Sequence, residues 1–440
     1  MADSDTIYAL SSGGLPAGVA VVRVSGRKAH ETARLMAGDL PANRLASLRQ
    51  LREERRGPID RALILRMDGP NSFTGENTIE FHLHGGKAVV SAFLDVLSEI
   101  PDYRQAEPGE FTRRAFLNGR IDLYEAESLG DLIEAETEMQ RRFAVDGSMS
   151  SNAGLFTDWA AQLTECRALI EAELDFADEE DIPGSLRNQV RERLDGITKK
   201  IETELDRVHA SEIVRNGYKV VLTGAPNVGK SSLLNALAER DVAIVSSEPG
   251  TTRDLVEVAL DLGGYKIRLI DTAGIRETTG EVEQIGISRA LEMVRTADLV
   301  LELVSPGDGA PGVKSESRSK PHLVIGTKAD MGTAWPVPVD FTISVTTGAG
   351  LDRLIAAIGD HVAVEGLGSG AMPLLRRERH VSLCRTALHG LRDAAQFLDT
   401  APELSAESLR IAANALGRIT GHVDVEDLLD VIFSRFCIGK

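Results

Sequence analysis

The chain has 440 residues, a formal net charge of −18, 42% apolar residues and 4% aromatic residues. This length predicts roughly two to four folded domains, and the acidic charge excludes a general affinity for nucleic acid, so any RNA contact has to be local. Asp3 and Asp5 stand where a secretion signal carries basic residues, no apolar run is long enough to span a membrane, and the three cysteines lack metal-like spacing. We therefore expect no membrane association and a cytoplasmic location.

The first stretch, residues 1 to about 118, has the pattern of an α+β domain. Gly18–Val24 and Ala62–Met67 are predicted to be buried strands. A third strand is predicted over Thr78–His84, with Ile79, Phe81 and Leu83 on one face and Glu80, His82 and His84 on the other.

The pattern of apolar and charged residues changes twice in the middle of the chain. Residues 119–215 are charged and helical in pattern, with an apolar face predicted at Leu123, Leu129, Leu132 and Ile133, and residues 216–365 alternate apolar strands with glycine-rich loops. Helical patterning returns over 366–440, with helices expected to begin near Ser405 or Glu407 and near Asp424. The sequence thus predicts a multidomain α/β protein with domains at 1–118, 119–215, 216–365 and 366–440, in which both helical parts form one domain.

A phosphate-binding loop is predicted where the strand Tyr218–Thr223 runs into the sequence GAPNVGKSS, which a helix-prone stretch follows. Glycines let backbone N–H groups surround phosphates, Lys230 reaches the β and γ oxygens, and Ser231 binds Mg²⁺. The predicted contacts are Gly224, Asn227, Val228, Gly229, Lys230, Ser231 and Ser232.

Three more motifs follow in the order that a GTPase requires. The first, around Thr251 and Thr252, can supply a threonine to Mg²⁺; the second begins at Asp271, after the strand Lys266–Ile270, and can hold a metal-bound water. In the third, Asp330 can accept both guanine N–H groups while Lys328 covers the ring. The predicted nucleotide contacts here are Ser246, Ser247, Glu248, Pro249, Gly250, Thr251, Thr252, Asp271, Thr272, Ala273, Gly274, Thr327, Lys328, Asp330 and Ser344.

Two departures concern affinity and hydrolysis. Thr327 stands where the guanine loop usually has an asparagine that braces it against the phosphate loop, so we expect specificity to survive and affinity to be weaker. Ile275 occupies the position of the water-orienting glutamine of Ras-like enzymes. Asn227 resembles an asparagine that holds potassium in some GTPases, and Glu283 could then orient water. From the residues alone, a solvated surface charge is the favoured interpretation of Glu283.

The motifs NSFTGENTIEFHLHGG, PGEFTRRAFLNGRIDLYEAE, PGTTRD, DTAGIRE and the terminal FCIGK, together with the phosphate loop, resemble those of the MnmE family, also called TrmE, along essentially the whole chain. The resemblance implies a folate-binding N-terminal domain that dimerises, a discontinuous helical domain and an inserted Ras-like P-loop GTPase domain. It also implies a homodimer that works with the FAD-containing partner MnmG, also called GidA. Together they would add an aminomethyl or carboxymethylaminomethyl group to C5 of the wobble uridine (U34) of certain tRNAs.

The resemblance also implies roles for particular residues. The one-carbon donor, 5-formyl- or 5,10-methylene-tetrahydrofolate, would contact Arg23, Glu80, Arg120 and Lys440; Arg120 stands where a lysine is expected. Potassium would bind Asn227, Ser246, Glu248 and Thr251, magnesium would bind Ser231 and Thr252, and Glu283 would orient the attacking water. Cys437 would lie beside the one-carbon donor, so we expect it to act in modification as a nucleophile or as a positioning group.

Other interpretations stay open. The chain could be a regulatory or ribosome-assembly GTPase switch, or a folate enzyme with a regulatory GTPase. A local tRNA contact is possible at Arg376, Arg377, Arg379, His380 and Arg385, although such a run is more often a solvated helix face. The tail and the N-terminal motifs favour the RNA-modifying enzyme.

Overall fold

The computed structural model describes residues 5–149, 152–175, 185–240, 242–244, 257–271, 292–307, 320–332, 334–367, 370–423, 425–434 and 436–439. These residues fall into two compact units. The first lies within Met1–Gly130, Ala153–Ala161 and Ala413–Lys440, and the second within Asp131–Asn152 and Gln162–Ala412. Among the described helices, none is both long and apolar enough to cross a membrane.

The first unit is built on a six-stranded sheet with strand order β3-β4-β5-β2-β1-β6. Its strands are β1 (Thr6–Leu10), β2 (Ala17–Ser25), β3 (Ser47–Glu53), β4 (Gly57–Met67), β5 (Thr78–Gly85) and β6 (Tyr103–Gln105). All neighbours pair antiparallel except β1 and β6. The three strands predicted from sequence are confirmed as parts of β2, β4 and β5.

One face of this sheet forms the core of the unit, as the alternation in β5 requires. Ile79, Phe81 and Leu83 are buried, and Phe93 of the helix α2 (Lys87–Ser98) packs against Phe81 with ring centroids 4.8 Å apart. The other N-terminal helices are α1 (Ala29–Ala37), α3 (Glu110–Leu117) and α4 (Leu123–Glu134). The opposite face carries Glu80, His82 and His84, as predicted.

A buried ion network joins two of the sequence motifs within the first unit. Arg114, in α3, contacts Asp5 at 2.9 Å, Glu76 at 3.2 Å and Glu110 at 3.0 Å. Asn118 donates to the carbonyl of Thr74 at 2.7 Å. The NSFTGENT segment is therefore fixed against the segment that begins at PGEF.

The second unit contains a six-stranded sheet with order β12-β11-β10-β7-β9-β8. Its strands are β7 (Tyr218–Gly224), β8 (Glu257–Leu262), β9 (Tyr265–Asp271), β10 (Leu299–Val304), β11 (His322–Gly326) and β12 (Phe341–Thr342). The strands are parallel except for the antiparallel pair β8 and β9. Helices α9 (Lys230–Ala238) and α10 (Leu351–Glu365) contribute Leu233, Leu234, Leu354 and Ile358 to its core.

The remaining helices are α5 (Glu138–Met149), α6 (Asn152–Asp175), α7 (Ser185–Asp206), α8 (Val208–Asn216), α11 (Glu378–Phe397), α12 (Pro402–Thr420) and α13 (Glu426–Phe433). α12 begins at Pro402, earlier than predicted, and Asp424 lies outside the described residues. The predicted apolar face of α4 is wrong at Ile133, which is 37% exposed, while Leu129 and Leu132 are half-buried. The buried residues of α4 are Leu123, Tyr124, Ala126, Glu127 and Ser128.

Candidate functional site

The phosphate loop lies between β7 and α9, as predicted. Lys230, at the start of α9, is buried, and its ammonium donates to the carbonyls of Gly224 at 2.7 Å and Ala225 at 2.9 Å. Burial lowers the pKa of Lys230, while the nearby Asp271 opposes that shift. The two carbonyls offset the cost of burying this ammonium, and a bound anion is favoured beside it because the helix N-terminus also attracts negative charge.

A hydroxyl and a carboxylate meet beside this lysine. β7 and β9 are parallel neighbours, and Leu222 pairs with Asp271 at their carboxyl ends. Ser231 donates to Asp271 Oδ2 at 2.7 Å, and Asp271 is 1% exposed. Oxygen donors of this kind suit Mg²⁺, which usually takes one or two protein ligands and completes its shell with water and phosphate.

The predicted guanine loop follows β11. Asp330 is exposed, and Ser344 donates to its Oδ1 at 2.6 Å, which holds the pKa of this carboxyl below its usual range. Lys328 has a φ of 53°, so its backbone turns sharply between β11 and Asp330. The two residues assigned to the base therefore lie on a tightly bent loop, with the acceptor oriented by a buried serine.

The structure gives Thr327 the bracing contact that sequence reasoning assigned to asparagine. Its hydroxyl lies 2.7 Å from the carbonyl of Val228, in the phosphate loop, and 3.1 Å from that of Val304. A hydroxyl has one proton, so it donates to the nearer carbonyl, Val228. The guanine loop and the phosphate loop are thus joined, whereas the expected loss of affinity stays a prediction.

Arg23 and Glu80 meet on adjacent strands of the first unit. They are register partners in β2 and β5, and Arg23 Nε donates to Glu80 Oε1 at 2.9 Å. The guanidinium also lies 5.6 Å from the ring centroids of Phe73 and Phe111. A cation and a carboxylate beside aromatic rings match what a heterocycle with an anionic tail requires.

Arg120 is placed separately from this pair. It is exposed, its side chain packs against Gly75, and it lines a cavity of about 480 Å³ together with Asp122, Glu125 and His422. Within the described residues, no recorded contact joins Arg120 to Arg23 or Glu80. The predicted folate set is therefore only partly brought together.

The C-terminal tail lies on the N-terminal part of the first unit. The carbonyl of Cys437 accepts from Gly109 N–H at 3.4 Å, Ile438 forms an antiparallel bridge with Pro108, and Gly439 packs against Leu10. Leu10 ends the strand in which Ala9 pairs with Arg23. Cys437 is exposed. The tail thus leads toward the strand that carries Arg23.

The proposed tRNA patch in the second unit is wrong for two of its members. Arg376 is 4% exposed, lies 3.9 Å from the ring centroid of Phe143 and contacts Asp146 at 3.1 Å, and His380 is fully buried. Arg377 contacts Asp131 at 2.8 Å. Arg376 and Arg377 therefore pair with a ring and with carboxylates and do not form an open basic patch, whereas the side chain of Arg385 is 65% exposed.

Twelve predicted site residues lie outside the described residues, and their roles stay predictions. They are Ser246, Ser247, Glu248, Pro249, Gly250, Thr251, Thr252, Thr272, Ala273, Gly274, Glu283 and Lys440. Sequence reasoning missed Trp335, whose indole contacts the guanine loop. The sequence could have indicated this residue, because Trp335 is one of two tryptophans in a chain poor in aromatics and follows Asp330 by five residues.

The phosphate loop and the guanine loop, both at the carboxyl ends of parallel strands, define a P-loop GTPase. The family model described as MnmE helical domain matches residues 123–437, and that described as GTP-binding protein TrmE N-terminus matches residues 6–120. The tRNA modification GTPase MnmE of Mesorhizobium japonicum is 49% identical to this chain, over 100% of each chain. The chain belongs to the MnmE family of tRNA modification GTPases.

Other proteins are similar in whole or in part. The tRNA modification GTPase MnmE of a Chelativorans species is 50% identical, over 99% of this chain and 98% of its own. Among solved structures, Era of Aquifex aeolicus is 25% identical, with a TM-score of 0.27, over 39% of this chain and 66% of that chain. The family match and the mixed sheets and helices confirm the predicted multidomain α/β class.

Proposed function

We propose that this GTPase, with an FAD-dependent partner, adds an aminomethyl or carboxymethylaminomethyl group to C5 of the wobble uridine of certain tRNAs. The observation that supports the proposal is the tail: Cys437 accepts from Gly109, Ile438 bridges Pro108, and Gly439 lies against Leu10, which ends the strand that pairs with the strand of Arg23. A GTPase that acts only as a switch has no need of such a tail. We also propose the domain limits 1–118, 119–215, 216–365 and 366–440.

The nucleotide is held by groups that each have a separate task. Lys230 pairs with the β- and γ-phosphate oxygens, which give it a better partner than the carbonyls it contacts in the loop. Ser231 would supply an oxygen ligand to Mg²⁺, and Asp271 would accept from a water bound to that ion. Asp330 accepts from the guanine base, and its oriented oxygens reject adenine, which offers no matching pair of N–H groups.

Hydrolysis is proposed to need potassium. Asn227, exposed at the phosphate loop with a φ of 62°, offers an amide oxygen to the ion together with Ser246, Glu248 and Thr251. A cation held there would stabilise the charge that develops on the β-γ bridge, and Glu283 would orient the attacking water. Turnover in potassium should exceed turnover in sodium many-fold, and Asn227→Ala should remove that difference. Equal turnover in both salts would refute this role.

The one-carbon donor is proposed to be 5-formyl- or 5,10-methylene-tetrahydrofolate. Glu80 accepts from the N–H edge of the pterin, and Arg23, Arg120 and Lys440 attract the glutamate tail. The 14% exposure of the Glu80 side chain supports this, because a shielded carboxylate recognises N–H groups more strongly than a solvated one. Glu80→Gln should weaken folate binding measured by calorimetry, with Glu99→Gln as the exposed control.

We further propose a homodimer that acts with MnmG in the cytoplasm, where tRNA is found. Support comes from the outer face of the N-terminal sheet, where Leu48 and Leu63 are cross-strand partners that are 48% and 44% exposed. Val19, on β2 of the same sheet, is 54% exposed. Exposed apolar rows of this kind mark interaction sites. The alternative, a regulatory or ribosome-assembly switch, predicts normal tRNA nucleosides in a deletion strain.

A further inference from the structure

The segment after the guanine loop folds back onto it through one aromatic side chain. Trp335 donates from its indole Nε1 to the carbonyl of Thr327 at 3.2 Å. Its ring lies directly on Gly326, where an added Cβ would come within 2.7 Å of Trp335 Cε2. Only glycine permits this approach, so ring and loop fit each other closely.

Every polar group of Thr327 is held by a different part of the second unit. Its N–H donates to the carbonyl of Val304 at 2.8 Å, in β10. Its hydroxyl donates to Val228 in the phosphate loop, and its carbonyl accepts from Trp335. Thr327, which begins the guanine loop, is therefore held at three polar groups, and Trp335 supplies the contact that the sheet and the phosphate loop do not make.

Trp335 packs against the loop and not into the hydrophobic core. The described side chains of the second unit that contact the core around β7 and β10 include Phe341 and Val345 but not Trp335. The indole is half-buried and meets backbone atoms of Gly326 and Thr327. A residue recruited only for stability would be expected to bury its ring among apolar side chains, as Trp159 does beside Phe156.

We propose that Trp335 is a positioning residue for guanine recognition: by holding the carbonyl of Thr327 it aims Asp330 at the base. The proposal rests on the assignment of Asp330 as the guanine acceptor in the proposed function. Asp330 is oriented from its other side by Ser344. Trp335 and Ser344 thus hold the two ends of the loop that carries the acceptor.

This role has a kinetic signature. The base keeps the same contacts in the ground state and in the transition state. Loss of positioning therefore weakens binding of the nucleotide equally in the two states. Trp335→Phe removes the N–H and keeps an aromatic ring. We expect the Kd for GDP and the KM for GTP to rise together, by about three- to tenfold for one lost hydrogen bond, with kcat unchanged.

Base discrimination separates positioning from stability. Inosine nucleotides lack the 2-amino group of guanine, so they cannot use the second contact to Asp330. We expect the preference for GDP over IDP to shrink in Trp335→Phe, since a misdirected carboxylate gains less from that amino group. The matched control is Trp159→Phe, because Trp159 lies in the first unit and its Nε1 has no hydrogen-bond partner among the described residues.

The experiment measures GDP and IDP affinities of the full chain by calorimetry for wild type, Trp335→Phe, Trp159→Phe and Asp330→Asn. A reduced preference for GDP over IDP in Asp330→Asn establishes Asp330 as the acceptor. Given that result, an unchanged preference in Trp335→Phe overturns the positioning role of Trp335. An unchanged preference in Asp330→Asn would instead refute the assignment of Asp330 itself. If Trp335→Phe fails to fold, Trp159→Phe leaves one emitter: a larger change in Trp335 fluorescence with saturating GDP than with saturating IDP supports the proposal, and an equal change with both overturns it.

Discussion

Phe436 anchors the C-terminal tail, so replacing it with alanine should release Cys437 from its place. The ring is half-buried in a cluster with Leu123, Leu429 and Phe433, and the Phe433 and Phe436 centroids lie 5.6 Å apart. A Cβ on Gly130 would lie 3.1 Å from Phe436 Cζ, so the ring rests on the bare backbone of α4.

The magnitude follows from the buried area. A half-buried phenylalanine removes about 80 Å² of apolar surface from water, which at about 25 cal/mol per Å² stabilises the docked tail by about 2 kcal/mol. The rest of the tail adds little, since the bond from Gly109 to Cys437 is 3.4 Å long and Ile438 is 51% exposed. Loss of about 2 kcal/mol lowers the ratio of docked to free tail about thirtyfold.

Hydrogen exchange followed by mass spectrometry measures this release directly. In Phe436→Ala, the peptide that contains Cys437 should exchange about thirtyfold faster, because exchange tracks the population of the open form. GTP hydrolysis should change less than twofold, while tRNA modification should fall. Val431→Ala, a substitution at a side chain 55% exposed on α13, is the matched control and should change neither. Unchanged exchange in Phe436→Ala would refute the anchoring role.

Three further predictions concern single side chains. Thiol labelling at pH 7.5 should modify Cys437 alone in the folded protein, because Cys437 is exposed and burial raises the pKa of Cys384 to about 12. Rapid labelling of Cys384, detected by mass spectrometry, would contradict this prediction. Thr327→Val should weaken GTP affinity about tenfold, because the carbonyl of Val228 loses a buried hydrogen-bond donor worth about 1–3 kcal/mol. Thr327→Asn should retain a donor to this carbonyl, and calorimetry measures the GTP affinity of both variants. Burial raises the pKa of Asp122 from 3.8 to about 6, so the folded state loses stability as pH rises through that interval. Asp122→Asn should therefore raise the free energy of unfolding in urea by about 1–3 kcal/mol at pH 7.5 and by less at pH 4.5, and an equal gain at both would exclude the titration.

Local patterns allowed much of the fold to be predicted. β2, β4, β5, β7 and β9 were found because period-2 alternation and continuous apolar runs reflect burial directly. The phosphate loop was placed between a strand and a helix because glycine spacing and a following lysine have one common structural setting.

The errors came from partners distant in sequence. Arg376 has the appearance of a surface charge, but its partners Phe143 and Asp146 are more than 200 residues away along the chain. The bracing by Thr327 was missed for the same reason, since Val228 is 99 residues away. In α4, the face with Leu129 and Ile133 is more apolar in sequence, yet packing buries Tyr124 and Ala126.

The central claim is that the tail serves wobble-uridine modification and not GTP turnover. The most direct measurement is nucleoside analysis of bulk tRNA from a strain lacking this gene, complemented with wild type or with Cys437→Ser. We predict that the aminomethyl-type wobble uridines disappear in the deletion, return with wild type and stay absent with Cys437→Ser, whose GTP turnover is normal. Persistence of these nucleosides in the deletion, or their full return with Cys437→Ser, would contradict the account.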